Sequence, residues 1–178
     1  MSTLSIALII VIATVCIPLI FILINRRNRK KRNKALLNFF MEEGSKQGLS
    51  FSSQEILRSK IIGLDTAKQT LLVFDFNNND NIGCMNIGCI NMSEVKTCSI
   101  EKNHDSIVFG TEKQAKTESH LRRIDLKFIF KNGADPVSVS FYDSSINSIY
   151  EMAELESKAK TWEVLISKML FKELKINA

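Results

Sequence analysis

Three regimes of hydrophobic spacing succeed one another along the chain. The first is unbroken. Residues 4–24, "LSIALIIVIATVCIPLIFILI", carry no charge. At about 1.5 Å of rise per residue, a helix of that length spans roughly 30 Å, the thickness of a bilayer core. The run predicts a single transmembrane helix, kinked at Pro18. A cleaved signal peptide fits less well. No basic residue precedes the run, the run is long, and Arg26 follows it where a small-residue cleavage site would be needed. Lipid attachment at Cys16 also fits poorly, because Val15 precedes it and more hydrophobic residues follow.

Residues 33–47, "NKALLNFFMEEGSKQ", put Leu36, Leu37, Phe40 and Met41 on a helical stripe, with Gly44 as the expected stop. This segment would extend the membrane helix or lie along the interface. Ser52 and Glu55 fit a capping box and predict a short helical turn. From Arg58 onward the period drops to two. Strands are predicted at 59–65 and 69–76 around a turn at 66–68, then at 82–90 and 94–101, with a turn-rich loop at 77–81. Residues 102–119 are polar apart from Ile107, Val108 and Phe109, and predict a long loop holding at most one short strand.

The clearest strand is 121–131. Ile124, Leu126, Phe128 and Phe130 alternate with Arg123, Asp125, Lys127 and Lys131, the pattern of a half-buried antiparallel strand. Asn132-Gly133 is a hairpin signal, and 137–143 returns with Val137, Val139 and Phe141 inward. The third regime follows. Ser148 and Glu151 make a capping box. Leu155, Ala159, Trp162, Ile166, Met169 and Leu170 or Phe171 then recur near the helical period to about Leu174. Such a stripe must be buried, and the preceding sheet is the available surface.

Charge changes this picture at one place. The chain has 24 Lys+Arg and 19 Asp+Glu, a net charge of +5. Seven of the basic residues, Arg26, Arg27, Arg29, Lys30, Lys31, Arg32 and Lys34, stand in one nine-residue block without an acid. Without them, 17 basic residues face 19 acidic ones, so the rest is not a nucleic-acid-binding surface. Basic residues beside an apolar span mark its cytoplasmic side. The block therefore predicts an outer N-terminus and a cytoplasmic domain at the inner face of the cell membrane. It would also hold anionic headgroups, at about 1 kcal/mol per basic residue near the surface.

Candidate chemistry is sparse. Asn-Ile-Gly-Cys occurs twice in "NIGCMNIGCIN", and Cys84, Cys89, Cys98 and His104 give a C-x4-C-x8-C-x5-H spacing. Strong zinc patterns use C-x2-C pairs, whose tight turn aims both sulfurs inward. A five-residue offset sends Cys84 and Cys89 to opposite faces of a strand. Cys98 alternates in register with Ile100 and is expected to be a buried core thiol. Residues 75–86 begin like a calcium loop but have Asp80 where Gly is needed and Asn86 where Glu is needed. His104 and His120 have no companions that suggest a triad. No phosphate-binding loop, dinucleotide fingerprint or hydrolase motif is present. No catalytic residue, cofactor or metal is expected.

The order of short antiparallel strands followed by one amphipathic helix resembles the pleckstrin-homology-like fold. The likeness is most specific in "AELESKAKTWEVLISKML", 153–170, where Trp162, Leu165 and Ile166 match that family's C-terminal helix. Together with the apolar N-terminus, the chain resembles small bacterial membrane-anchored proteins carrying such a domain. The resemblance implies an α+β class: a transmembrane helix at 1–25, a basic juxtamembrane and helical linker at 26–50, and a cytoplasmic domain at 51–178. That domain would be an antiparallel β-sandwich or partly open barrel capped by the C-terminal helix. It also implies that the family's lipid binders would place basic residues around the first hairpin, here Arg58, Lys60 and Lys68.

The leading expectation is a non-enzymatic, membrane-anchored interaction or scaffold module that binds a protein partner or self-associates. Its expected contacts are the bilayer and an unknown protein or second copy, without nucleic acid. The alternatives are anionic-lipid sensing by the domain itself and an enzyme with an unrecognised site.

Overall fold

In the computed structural model the chain forms two compact units, Met1–Gly48 and Leu49–Ala178. The structure describes residues 3–76, 85–109 and 116–176. The first unit is one helix, α1 (Thr3–Lys46), which runs without a break through both the apolar run and the basic block. Its described side chains turn from apolar to charged at Arg26. Among the described residues, no helix is long and apolar enough to cross a membrane. That overturns the single-pass span, and with it the topology, the inner-membrane location and the bilayer contacts inferred from it. Gly44 stays inside the helix. The stop is Gly48, whose φ of +68° is the left-handed geometry that a helix C-terminus gives to glycine.

The second unit begins with strand β1 (Ser53–Ile56), where the Ser52–Glu55 pair predicted a helical turn. Non-local pairing decides this. Ser52 N–H donates to Leu64 O at 2.9 Å, and β1 pairs antiparallel with β2 (Lys60–Asp65). Next come β3 (Thr70–Phe76) and β4 (Met85–Asn91), completing a sheet in the order β1-β2-β3-β4. The loop expected at 77–81 lies outside the described residues. Residues Ile62, Leu64 and Leu71 are buried on one face of this sheet and Ile61, Leu72 and Phe74 on the other. Burial on both faces is why "TLLVF" lacks alternation.

A 3-10 turn, Met92–Glu94, carries the chain to a second sheet of β5 (Val95–Phe109), β6 (Lys116–Phe130) and β7 (Val137–Asp143), in that order. Within the long loop expected at 102–119, residues 102–109 and 116–119 instead belong to two paired 15-residue strands, and 110–115 lie outside the described residues. Polar ladders pair as well as apolar ones where both faces are wet, so hydrophobic alternation does not report them. At the corner, Met92 N–H donates to Gln69 O and Lys131 N–H to Glu94 O, each at 2.8 Å. These bonds seat the turn against both sheets while the ladders stay separate. Among the described residues the result is an α+β fold of two antiparallel sheets and two α-helices without a closed barrel, which corrects the pleckstrin-homology-like, membrane-anchored expectation.

The core lies between the sheets. Ile62, Leu64, Leu71 and Ile90 meet Ile124, Leu126, Phe128, Val139 and Phe141. Val137, expected inward, is 39% exposed. Helix α2 (Met152–Ile176) joins the same cluster through Leu155, Ala159, Trp162, Ile166 and Leu170. The capping box forms as predicted: Ser148 N–H donates to Glu151 at 2.9 Å, and the Ser148 side chain accepts in return from the first turn.

Two buried acids organise the turns. Asp65 is 2% exposed and accepts from the backbone N–H groups of Ser50 at 2.7 Å and of Ala67 and Lys68 at 2.9 Å. It closes the β2–β3 turn, where Gln69 takes a φ of +52°, and ties down the segment ahead of β1. The Ser50 and Lys68 hydrogen bonds hold its carboxyl below the usual range despite burial. Asp125, expected on the wet face of β6, is 3% exposed and accepts from Asn103 Nδ2 at 3.2 Å.

Asp65→Ala should cost about 2 kcal/mol in urea unfolding at pH 7, since it orphans backbone donors held by a charged acceptor. A depressed folded pKa contributes stability above the unfolded value of about 3.9 and loses it as pH falls through the folded one. The gap between wild type and variant should therefore narrow on acidification. Trp162→Ala should cost about 3–5 kcal/mol by opening a core cavity, with the loss read as a lower midpoint at unchanged slope.

Candidate functional site

Among the described residues β5 is an edge strand, paired with β6 on one side only. α2 runs beside its other side in the opposite direction. Glu156 Oε1 meets Lys102 Nζ at 2.9 Å, and Glu163 Oε1 accepts from Ile100 N–H at 2.9 Å. Further along, Ser167, Leu170 and Phe171 stand across from Val95, Lys96, Thr97 and Cys98, and between them lies a groove of about 640 Å³. Lys131 completes its wall, with Nζ donating to Ser93 O at 2.6 Å.

The groove follows from two periods that do not match. The α2 stripe keeps Ile166 and Leu170 inward, but Phe171 lies about 100° further round and is 67% exposed. It forms a wall that the core does not use. On β5, alternation turns the Cys98 peptide groups the same way as those of Ile100, away from β6 and toward the helix side. Cys98 itself is buried. Burial pushes its thiol up to about 12, with the Glu163 charge adding to the effect. The site therefore has an apolar floor of Val95, Cys98 and Leu170, an aromatic wall, backbone polar groups along one side, and two lysines at one end.

A smaller cleft of about 160 Å³ lies where the β1–β2 turn meets β7, lined by Arg58, Lys60, Asp75, Arg123 and Asp143 among others. Its cations have acidic partners. Arg58 reaches Glu151 at 3.5 Å, Lys60 pairs with Asp75, and Arg123 lies 3.4 Å from Asp125 and 3.6 Å from Asp143. Burial pushes the Asp143 carboxyl up, but the Ser145 hydrogen bonds and the Arg122 and Arg123 charges leave it below its usual range. Of the three residues expected to meet a lipid headgroup, Arg58 and Lys60 share this cleft and Lys68 lies in the β2–β3 turn. They do not converge, and two are neutralised by carboxylates, so the lipid-sensing expectation falls.

The basic block lies on α1. Arg26, Arg27, Lys30, Lys31, Arg32 and Lys34 are exposed. At 100° per residue, Arg26, Arg27, Lys30, Lys31 and Lys34 fall within an arc of about 140°, and Arg32 lies outside it. The side chain of Arg29 lies outside the described residues. So does Cys84, and so does most of the 75–86 segment. Cys89 is exposed, as are His104 and His120. Among the described residues, no three His, Cys, Asp or Glu side chains come together as a metal site.

Lys96, Thr97, Ser167 and Phe171 were not legible as a site from the sequence. The available signal was Phe171 itself, a large aromatic just off the helical stripe. Cys98 and the exposed Cys89 should differ in a native alkylation experiment. Cys89 should label readily, and Cys98 should label only when the protein is denatured, because its thiolate is scarce below about pH 12. Peptide mass mapping reads the difference.

With the geometry in hand, relationship to known proteins adds no assignment: no protein-family model, curated protein or solved structure matches this chain. The resemblance to membrane-anchored pleckstrin-homology-like proteins is withdrawn on the structure, whose described residues form two separate sheets and hold no helix long and apolar enough to cross a membrane.

Proposed function

We propose that the Leu49–Ala178 unit is a non-catalytic binding domain whose ligand is an extended peptide segment, lying along the β5 edge in the groove against α2. The observation that carries this is the groove itself. It combines apolar depth at Val95, Cys98 and Leu170 with the side of a strand that has no partner strand among the described residues. An extended chain added there would gain ladder hydrogen bonds from the strand and bury alternate side chains against Leu170 and Phe171. The volume lies within the range of roughly 300–1,000 Å³ typical of ligand sites. This reading takes nothing from a membrane anchor.

The test uses the full chain and an array of ten-residue peptides alternating apolar and polar residues. Ser167→Trp fills the groove from a half-buried helix position without touching the core. It should weaken capture of the best peptides at least about tenfold, or 1.4 kcal/mol. In the wild type, amide shifts on adding such a peptide should cluster at 95–100 and 163–171. Equal capture by both proteins, or shifts elsewhere, would sink the reading.

A further inference from the structure

We infer that the groove reads the direction of its peptide, through opposite charges fixed at its two ends. The inference rests on the peptide-binding reading and adds an orientation and a charge order to it. At the Val95 end stand Lys96, which is exposed, and Lys131. At the Ile100 end stands Glu163, whose carboxylate already accepts the Ile100 N–H at 2.9 Å. The ends are separated by the span from Val95 to Ile100, about 17 Å of extended strand.

Glu163 does two things there. It occupies the outward N–H that would form the next rung, and the Val95 N–H is held by Met92 O, so a docked strand pairs along Lys96–Cys98, beside the register shift between Val95 and Thr97, and stops short of Ile100. It also fixes negative charge at that end. β5 already pairs antiparallel with β6, and antiparallel addition is the more stable pairing per residue. A segment added antiparallel to β5 has its N-terminal side toward Glu163 and its C-terminal side toward Lys96 and Lys131. The matching ligand carries a basic residue first, apolar residues at alternate positions over Cys98, Leu170 and Phe171, and an acidic residue or free carboxylate last. The reversed sequence would place like charges together at both ends, and such juxtaposition discriminates more sharply than attraction alone.

Two labelled peptides of identical composition test this with the full-length protein: Lys-Ala-Val-Ala-Leu-Ala-Glu and its reverse, both with blocked ends. Anisotropy titration at low salt should show the forward peptide binding at least about tenfold tighter, and the preference should shrink as salt screens the charges. Glu163→Gln keeps an amide oxygen for the Ile100 N–H and removes the charge. It should cut the preference several-fold while circular dichroism stays unchanged. Lys96→Gln should do the same from the other end. Equal binding of the two peptides, with Ser167→Trp still blocking both, would overturn the directional reading and leave the binding reading standing. No binding of either peptide, with the array also empty, would overturn both.

Discussion

Everything in the second unit depends on burying one helical stripe. Leu155, Ala159, Trp162, Ile166 and Leu170 are too apolar to stand in water, and the core between the two sheets is where they go. The sheets could not seal themselves, because their ladders remain separate. The helix therefore completes the sandwich. Its placement in turn fixes the rest: where Glu163 meets the β5 backbone, where Lys158 reaches Glu55 on β1, and where a gap is left. The ion pairs around the helix are largely solvent-facing and contribute little each. They orient the helix more than they hold it.

The groove is then a consequence of geometry. A helix repeats every 3.6 residues and a strand every two, so a helix laid along a strand edge cannot keep the same contact over its whole length. Near Ile100 the match is close enough for a side chain to hydrogen-bond the strand. Near Val95 it is not, and Phe171 is left standing out. The concave surface arises where packing runs out, and it keeps the strand's polar backbone within reach of an apolar wall.

The chain disclosed its local periods well and its long-range decisions poorly. The alternation at 121–131, the hairpin signal at Asn132-Gly133 and the Ser148–Glu151 box each appear in place, because each is settled within a few residues. The turn expected at Ser52 lost to pairing with Leu64, twelve residues away. The polar residues 102–109 and 116–119 concealed paired strands because their ladder needs no apolar face. Asp125 read as a surface charge, but Asn103, placed 22 residues away by the strand register, helps to enclose it. The N-terminal run shows the opposite error. Composition alone suggested a membrane span, whereas among the described residues no helix is long and apolar enough for one. The groove was invisible for the same reason as those strands: it joins segments about 70 positions apart, and only the fold brings Lys96 near Phe171.

The placement of α2 along β5 has a meaning for synthesis as well as for recognition. During translation, β5 and β6 can zip together as soon as both have left the ribosome, since their contacts are local. The helix that shelters the outer side of β5 arrives last. Until it does, a 15-residue strand offers an unguarded row of peptide groups, the template on which chains aggregate or exchange strands. The same exposed row that suits the mature domain to capture a passing segment is thus a hazard to the nascent one. Glu163 on the Ile100 peptide is the latch that ends the exposure at that position and leaves only the groove side open.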